Sequence, residues 1–333
     1  MKTDDVLSLL VRAGTTPISG EAMSVCLGVS RAAVWQAVEA LRREGYTISS
    51  APRRGYLLES SPDRLSPGAL VGAAAGRLVG REIVCLDTVD STNDEVKRRA
   101  VAGAAEGLVV LADNQSRGKG RRGRAFSSPA GAGLYFSTLL RPTCKLEEMF
   151  QLTAWTAVAV CRAVEACTGL SPGIKWTNDI ILDGKKLCGI LTELGIVGEI
   201  GVPDYVAAGI GINVTQRPED FPPEVRPVAI SLAQMLQQPP RRLSLAAALI
   251  EALDGMYAEF PFRRAHYLAE YRARCVTLGR QVRLLVPGKE EAQEVFALDI
   301  DDSFALRVRH ADGREETIRA GELSVRGLNG YTE

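Results

Sequence analysis

A run of basic residues separated by glycines is the chemically most distinctive stretch of this chain. The segment from Ser116 to Pro129, SRGKGRRGRAFSSP, has five cations in eight positions and no acid. Glycine has no side chain, so the backbone of such a loop can approach a ligand closely and present its N–H groups. The cations suit an anion. The segment is therefore a solvated linker, a nucleic-acid patch or a loop that wraps a small anionic ligand.

The flanking sequence favours the ligand-binding loop. Strand-like segments, GLVVLA and LYFSTLL, bound the run on both sides, which argues against a linker. Sites for single-stranded nucleic acid interleave aromatic residues with cations, whereas here the first aromatic residue is Phe126. A lone loop of glycine and arginine is weak evidence by itself, so the interpretation depends on the other polar motifs.

Other segments carry polar groups where a strand ends or turns. DSTN at 90–93 lies between a strand-like and a helical segment, where hydroxyls and helix N–H groups face a ligand. KWTND at 175–179 precedes Lys186, and GIGIN at 209–213 ends an apolar strand with two glycines. Each alone is explained by a helix cap, a turn before a hairpin or a tight sheet crossing. Occurring together, they indicate one ligand site.

Strands and helices alternate in the central part of the chain. IVCLDTV and YVAAGIGINV read as further strands, and KWTNDIILDGKKLCGILTEL reads as a hairpin that turns at Asp183-Gly184. Ser66 and Pro67 fit the N-cap and first position of a helix after the polar linker ESSPDRLSP. Further helices are predicted from DSTNDEVKRRAVAG, from LEEMFQLTAWTAVAVCRAVEACTG as one long buried helix, and at 243–260 and 262–274.

The N-terminal residues are typical of a helix-turn-helix with a wing. A short helix begins at Ser19 or Gly20, Gly28 ends it, and Ser30 is a good N-cap for the next helix. The alternating segment YTISSAPRRGYLLES turns at 52–55 and predicts two strands.

This N-terminal module is nearly neutral, with seven basic and six acidic residues through Glu59, so its basic residues matter by position. A recognition helix reaches base edges from its first turns, and wing arginines hold phosphates. We predict DNA binding, with a three-helix protein-interaction module as the alternative. The predicted DNA-binding residues are Ser30, Arg31, Gln36, Arg42, Arg43, Arg53 and Arg54.

Composition narrows the classes of protein. Basic and acidic residues balance at 40 each, which does not indicate a nucleic-acid binder over the whole chain. No apolar run has the length of a membrane span, and the N-terminus does not resemble a signal peptide. The seven cysteines form no CxxC pair, which indicates reduced thiols and a cytoplasmic location. The last 55 or so residues alternate apolar and polar, with turns at 287–288 and 312–313, and predict a small all-β module.

These motifs resemble those of the biotin protein ligases, of the bifunctional kind that also represses the biotin operon. The resemblance rests on DSTN, on QSRGKGRRGR from Gln115, on KWTND, on KKLCGIL from Lys185 and on GIGIN. The helix-turn-helix and wing of the family are similar to two N-terminal segments of this chain, GEAMSVCLGVSRAAVWQAVEALRREGY and APRRGYLL. The resemblance implies an α+β chain of three domains. These are a winged helix-turn-helix at 1–60, a mixed α/β ligase domain of the class II aminoacyl-tRNA synthetase and biotin ligase kind at 61–271, and an SH3-like β-barrel at 272–333.

The resemblance also implies a reaction in two steps. The biotin carboxylate attacks the α-phosphate of ATP to give biotinyl-5′-AMP and pyrophosphate, and a lysine of biotin carboxyl carrier protein then takes the acyl group. Mg²⁺ would bridge the phosphates with few protein ligands. The other implied partner is operator DNA, bound by a homodimer that forms when the adenylate orders the loop, and no membrane is involved.

Roles for individual residues follow from the same resemblance. The implied catalytic residues are Lys186, Arg121, Asp179 and Lys119. The implied biotin-binding residues are Ser91, Thr92, Asn93, Gln115, Gly118, Lys119, Gly120, Arg121, Lys186, Gly209 and Gly211. The implied ATP and adenylate contacts are Arg121, Arg124, Phe126, Lys175, Asn178 and Asn213. Asp179 would orient the incoming lysine, take up its proton or help place Mg²⁺.

The motifs differ from those of the family at three positions. Lys119 stands where the loop of the family has its first arginine, Phe126 where it has tryptophan, and Thr177 where proline is common. Lysine keeps the charge but loses the bidentate fork of arginine. Two alternative functions are a biotin-sensing regulator without catalysis and a lipoate ligase.

Overall fold

The computed structural model describes residues 3–51, 54–74, 78–195, 203–285, 292–319, 324–327 and 331–332. Its α-helices are α1 Thr3–Ala13, α2 Gly20–Leu27, α3 Arg31–Arg43, α4 Pro67–Ala73, α5 Thr92–Val101, α6 Leu146–Met149, α7 Leu152–Thr168, α8 Arg242–Glu259 and α9 Arg264–Arg274. Its strands are β1 Thr47–Ala51, β2 Gly55–Ser60, β3 Glu82–Val89, β4 Leu108–Gln115, β5 Gly133–Leu140, β6 Gly173–Lys175, β7 Asp179–Leu182, β8 Lys185–Gly195, β9 Tyr205–Asn213, β10 Gln281–Leu285, β11 Gln293–Ile300, β12 Leu306–Arg309, β13 Glu315–Ile318 and β14 Ser324–Gly327.

The N-terminal module is a winged helix-turn-helix, as the sequence predicts. The Ser30 hydroxyl accepts a hydrogen bond from Ala33 N, 3.2 Å away, and caps α3. Gly28 ends α2 in the left-handed region at φ 65°, where a side chain is disfavoured. Strands β1 and β2 pair antiparallel to form the wing. Residues 52 and 53 of its tip, including the predicted DNA contact Arg53, lie outside the described residues.

The central sheet has seven strands in the order β3-β4-β5-β9-β8-β7-β6. The first pair, β3 and β4, is parallel, and α5 connects them; every other pair in the sheet is antiparallel. Alternate residues of β4 face opposite sides, as the pleat requires. Val109 and Leu111 pack with α7 and α8, whereas Leu108 and Val110 pack under α5.

The prediction of one long helix from Leu146 was wrong, because the chain forms α6 and α7 instead. At the break, Gln151 N donates to Glu148 O and Ala154 N donates to Gln151 O, so the hydrogen bonds reach back three residues. Such bonds tighten the turn and end the α-helix. The apolar sequence continues through this point, so its pattern gave no sign of the interruption.

The C-terminal module is a five-stranded antiparallel sheet in the order β13-β12-β11-β10-β14. Its apolar residues are continuous with the main core. The Trp176 indole donates to Phe304 O at 3.0 Å, and Trp176 N donates to the Thr277 hydroxyl at 3.0 Å. The predicted turn at Asp312-Gly313 is present, whereas the one at 287–288 lies outside the described residues. The module therefore holds the backbone of the KWTND segment from one side.

Helix α4 joins the N-terminal module to the sheet, and glycine makes that junction possible. A Cβ at Gly68 would lie 2.3 Å from Asp4 O, and one at Gly72 would lie 2.7 Å from Val11 Cβ. The Gly68 N–H also donates to the Asp4 carboxylate at 3.0 Å. Ala69 belongs to the N-terminal core and Leu70 to the main core, so one short helix is part of both.

No helix within the described ranges is long and apolar enough to cross a membrane.

The close contact at Gly68 predicts a specific loss of stability. Gly68→Ala should lower the free energy of unfolding by about 1–3 kcal/mol, because the new methyl group meets a backbone that cannot move aside. Gly255→Ala is the matched control. A Cβ at this exposed glycine of α8 has no neighbour within 4 Å, so that variant should be more stable by about 0.5–1 kcal/mol. Urea unfolding measures both, and equal effects of the two substitutions would contradict the close packing.

Candidate active site

A pocket lies on the α5 face of the central sheet, beneath the basic glycine segment. Its walls come from the DSTN segment, the basic loop, Asn178 of KWTND together with strand β8, and GIGIN. The lining residues are Ser91, Thr92, Asn93, Gln115, Lys119, Gly120, Arg121, Phe126, Asn178, Lys186, Gly189, Ile190, Leu191, Gly209, Ile210 and Gly211. The four motifs thus meet at one place, as the sequence predicts.

One end of the pocket is a hydrogen-bonded network of neutral side chains. The Gln115 carbonyl accepts from Thr92 N at 2.8 Å and from the Thr92 hydroxyl at 3.1 Å, while the Gln115 amide donates to the Ser128 hydroxyl. Ser137 Oγ lies 2.7 Å from both Thr92 Oγ1 and Asn93 Oδ1, and its single proton serves one of them at a time. Such a network presents fixed donors and acceptors to a neutral polar ligand.

Asn93 is fixed on its other side by strand β8. Its amide donates to Leu191 O at 3.0 Å and to the Glu193 carboxylate at 2.8 Å, and Lys97 pairs with the same carboxylate. Because the amide nitrogen donates to these oxygens, Oδ1 is the atom that meets Ser137. The orientation of Asn93 is therefore set by its partners.

Two glycines of β9 keep the floor of the pocket flat. Gly209 and Gly211 lie two residues apart and face the same side of the sheet. A Cβ at Gly209 would lie 2.4 Å from Asn93 Oδ1, and one at Gly211 would lie 2.5 Å from the Phe126 ring. The glycines thus admit Asn93 and Phe126, and the Phe126 ring covers the floor.

The basic segment is folded as a small hairpin. Phe126 N donates to Gly118 O at 2.8 Å and Gly120 N donates to Arg124 O at 2.7 Å, with a 3₁₀ turn at Arg121–Gly123. Its base is tied to the end of β3, because Arg117 N donates to Asp90 O. The loop therefore has a defined shape.

The cations of the pocket are held in two different ways. Lys119 pairs with Asp94 at 2.6 Å, whereas the Arg121 guanidinium donates to the Thr177 hydroxyl and the Asn178 carbonyl at 3.1 and 2.9 Å. Burial lowers the pKa of Arg121, and the nearby Asp179 partly offsets that effect. Arg121 nevertheless stays charged at any physiological pH.

Lys186 and Asp179 form an ion pair of 2.6 Å at the far end of the pocket. Burial raises the pKa of Asp179, but the Lys186 charge and hydrogen bonds from Lys186 and Tyr331 outweigh it and hold that pKa below its usual value. Lys175 lies behind them, over the Tyr331 ring. Burial lowers the pKa of Lys175 to about 7, against the attraction of Asp179.

Some predicted site residues lie outside the lining of the pocket. Gly118 supports the hairpin, Arg124 is exposed at its tip, and Asp179 and Lys175 lie behind Lys186. Asn213 is buried, and its amide donates to Ile230 O and Lys186 O. Their roles toward a ligand stay predictions.

Several residues of the site were not predicted from the sequence. Gly189, Ile190, Leu191 and Ile210 line the pocket, and Ser137 organises its neutral end. A polar pair, Ser-Thr, inside the fully buried strand LYFSTLL was the available signal for Ser137. The apolar lining residues carry no comparable signal.

The predicted DNA-binding residues differ in availability. Arg31, Gln36, Arg43 and Arg54 are exposed. Ser30 serves as the cap of α3 described above. The Arg42 guanidinium donates to Ile48 O and pairs with Glu39, and so stabilises the module itself.

The arrangement suits chemistry between anions. A neutral polar network at one end and Arg121 and Lys186 at the other, with Lys119 paired to Asp94 beside Asn93, can bind a molecule with an uncharged head and a negatively charged tail. Positive groups placed in advance at such a tail stabilise charge that develops during group transfer.

Comparison with known proteins agrees with this geometry. Residues 85–213 match the Biotin/lipoate A/B protein ligase family, and residues 2–57 match an HTH domain. The bifunctional ligase/repressor BirA of Bacillus subtilis (strain 168) is 37% identical over 256 residues, covering 77% of this chain and 78% of that protein. BirA of Escherichia coli (strain K12) is 30% identical over 315 residues, covering 92% of both.

Solved structures give the same result. The biotin protein ligase from Aquifex aeolicus in complex with biotin and ATP is 27% identical, with a TM-score of 0.64 over 74% of this chain and 99% of that one. A protein of this fold and site is a ligase that joins a small acid to a protein. The chain belongs to the Biotin/lipoate A/B protein ligase family.

The Asp179–Lys186 pair predicts a pH dependence of stability. Because the pKa of Asp179 is lowered in the folded chain, its carboxylate stabilises the fold above the unfolded pKa, and this contribution is lost as pH falls through the folded pKa. Between about pH 5 and pH 2, the free energy of unfolding should therefore fall more for the wild type than for Asp179→Asn. Denaturant titrations across that range measure the difference, and parallel curves would show that the pair contributes nothing.

Proposed function

We propose that this protein is a biotin protein ligase that also represses transcription in response to biotin. One observation carries the catalytic half: a neutral hydrogen-bonding network and a set of cations occupy opposite ends of one pocket under a basic hairpin. The relatives named ligase/repressor supply the second half, because this chain matches them and also has the winged module. The proposal includes a cytoplasmic location, where ATP and DNA are both available.

The ureido ring of biotin fits the neutral end. This head group carries donors and an acceptor without charge, and Thr92, Asn93 and Gln115 offer fixed polar atoms to match. Ser91 also lines this end and makes no side-chain cap bond to α5. Gly209 and Gly211 line the floor and let Asn93 and the Phe126 ring lie close to it, where both would contact the rest of the ring system.

The cationic end would bring two anions together. Biotin carboxylate oxygen attacks the α-phosphorus of ATP, pyrophosphate leaves, and the product is the mixed anhydride biotinyl-5′-AMP. Lys186, Arg121 and Lys119 offset the repulsion between the carboxylate and the triphosphate. For this, Lys119 must leave Asp94 and Lys186 must turn partly from Asp179. Arg124, Phe126, Lys175, Asn178 and Asn213 complete the proposed ATP side.

Mg²⁺ would be held mainly by the phosphates. Among the described residues no group of three or more histidine, cysteine, aspartate or glutamate side chains could hold a metal ion. Mg²⁺ in nucleotide sites keeps several waters and uses few protein ligands, so the residues present fit a metal that arrives with ATP. The ion would neutralise phosphate charge.

In the second step the ε-amine of a carrier-protein lysine attacks the acyl carbon, and AMP leaves. The attacking amine has to lose a proton. Asp179, held near the cationic end by Lys186, is the carboxylate available to orient that amine or to take up the proton. The proposed carrier is biotin carboxyl carrier protein.

Regulation would connect the adenylate to DNA. The hairpin that carries Lys119 and Arg121 closes over the adenylate, and the closed form associates into a homodimer that places two winged modules on a palindromic operator. Arg31 and Gln36 face outward from the first turns of α3, where base edges are read.

The ligase activity has a direct test. Purified protein with biotin, ATP, Mg²⁺ and a biotin-acceptor domain should attach biotin to lysine, detected by a mass increase. Lys186→Ala or Arg121→Ala should lower kcat/KM by about 10²–10³-fold, because charge in the transition state loses a fixed cation. Lys185→Ala, the neighbouring lysine outside the pocket, should stay within about twofold.

The alternatives give different results in the same assay. A wild type that binds biotin but transfers none would be a sensor without catalysis. Competition by lipoate comparable to that by biotin would indicate a lipoate ligase, because a site built to hydrogen-bond a ureido group rejects a ligand without one. Either outcome would overturn the proposed reaction.

DNA binding is tested with and without the adenylate. Arg31→Ala should weaken binding to the operator about tenfold and relax the preference for one base of the operator, as expected for a lost base contact. Arg81→Ala, an exposed arginine at the start of the catalytic sheet, should leave binding unchanged. Sedimentation at the same concentrations should show a dimer with the adenylate; a monomer in both states would refute the dimer mechanism.

A further inference from the structure

The last described residues of the chain contact the active site from behind Lys186. The Tyr331 hydroxyl donates a hydrogen bond to Asp179 Oδ2, while the other oxygen of that carboxylate pairs with Lys186. The sequence separation is 152 residues, so this contact joins the end of the C-terminal module to the KWTND segment. We propose that Tyr331 is a positioning residue for the ligase reaction, which acts through Asp179 on Lys186; the inference rests on the proposed function.

The neighbouring residue fixes the position of Tyr331. The Thr332 hydroxyl donates to Gly184 O at 3.1 Å, in the turn between β7 and β8, and Arg280 donates to Thr332 O at 3.1 Å. Thr332 is buried. The first bond ties the segment to the hairpin that carries both Asp179 and Lys186. The second ties its backbone to the C-terminal module and does not depend on the Thr332 side chain, so Tyr331 is held beside Asp179 from two sides.

The hydroxyl can act only as a donor toward this carboxylate. Burial and the neighbouring Asp179 charge raise the pKa of Tyr331, so the phenol keeps its proton. A carboxylate with one oxygen bound by a hydroxyl directs the other oxygen toward its remaining partner. Tyr331 thus turns Asp179 Oδ1 toward Lys186 and fixes where the ammonium group lies relative to the pocket.

The aromatic ring of Tyr331 makes a second contact, which does not depend on the hydroxyl. Lys175 Nζ lies 3.4 Å from the ring centroid, a cation–π contact that needs only the aromatic face. Tyr331→Phe therefore removes the bond to Asp179 and keeps the ring over Lys175. Without the hydroxyl, Asp179 can turn either oxygen toward Lys175 or Lys186, and the position of Lys186 is no longer unique.

The effect should fall on the chemical step and spare biotin binding. Lys186 lines the charged end of the pocket, whereas Thr92, Asn93 and Gln115 form the neutral end and touch neither Tyr331 nor Asp179. Misplacing a group that stabilises the transition state lowers kcat, while binding of the head group is unaffected.

The experiment compares wild type, Tyr331→Phe and Thr332→Val in the biotinylation assay with the full chain. Thr332→Val removes the neighbouring hydroxyl and its bond to Gly184, but it keeps the bond from Arg280 to Thr332 O, which still holds the segment, and the Asp179 contact. We expect Tyr331→Phe to lower kcat about tenfold, as for one lost charge-assisted hydrogen bond, with KM for biotin unchanged. Thr332→Val should keep kcat within about twofold. Urea unfolding of all three proteins confirms that each is folded under assay conditions.

The outcomes separate the two proposals. An inactive wild type refutes the proposed function. An active wild type with kcat of Tyr331→Phe within about twofold refutes the positioning role. An equal loss of kcat in Thr332→Val and Tyr331→Phe also refutes it, because the segment would then serve only as an anchor.

Discussion

Cations gathered to receive an anion must be kept in place before the anion arrives, and this constraint governs the whole pocket. Two of the cations are held by acids, Lys119 by Asp94 and Lys186 by Asp179. Arg121 instead donates to the neutral groups of Thr177 and Asn178. Desolvation of the two charges offsets part of the attraction in each of these ion pairs. A bound anion can therefore replace Asp94 and Asp179 as the partner of the two lysines. Arg121 can bind an anion without first leaving an acid.

Placing those groups requires elements far apart in the sequence. The hairpin that carries Arg121 lies between β4 and β5, whereas its partners Thr177 and Asn178 lie beyond α7. The sheet order β5-β9-β8-β7 brings these segments together, and the glycines of β9 let the hairpin lie directly on the sheet. The C-terminal module then holds KWTND through Trp176. The site is thus a product of topology more than of local sequence.

The sequence predicted the elements better than their partners. Ser30, Gly28 and Asp183-Gly184 carry local signals, because caps and tight turns depend on neighbouring residues, and all are confirmed. The occurrence of DSTN, the basic segment, KWTND and GIGIN in one chain predicted a single ligand site, and residues of all four line one pocket in the fold. Contacts between residues that are distant in the sequence leave no periodic pattern in it, so the ion pair between Lys119 and Asp94 could not be predicted. The same reason applies to the break before α7, where apolar character continues unchanged.

Helix α4 has an effect on how this architecture can vary. Its glycine face is shaped to the backbone of α1, and its opposite face to the ligase core. Removing the first 60 residues would expose the side of α4 that packs on α1. This side is a narrow strip of small residues without polar side chains. A variant of this chain that kept only the ligase domain would need new side chains on that strip as well as the deletion of the N-terminal module. Gain or loss of the N-terminal module thus requires a change in the surface residues of one helix.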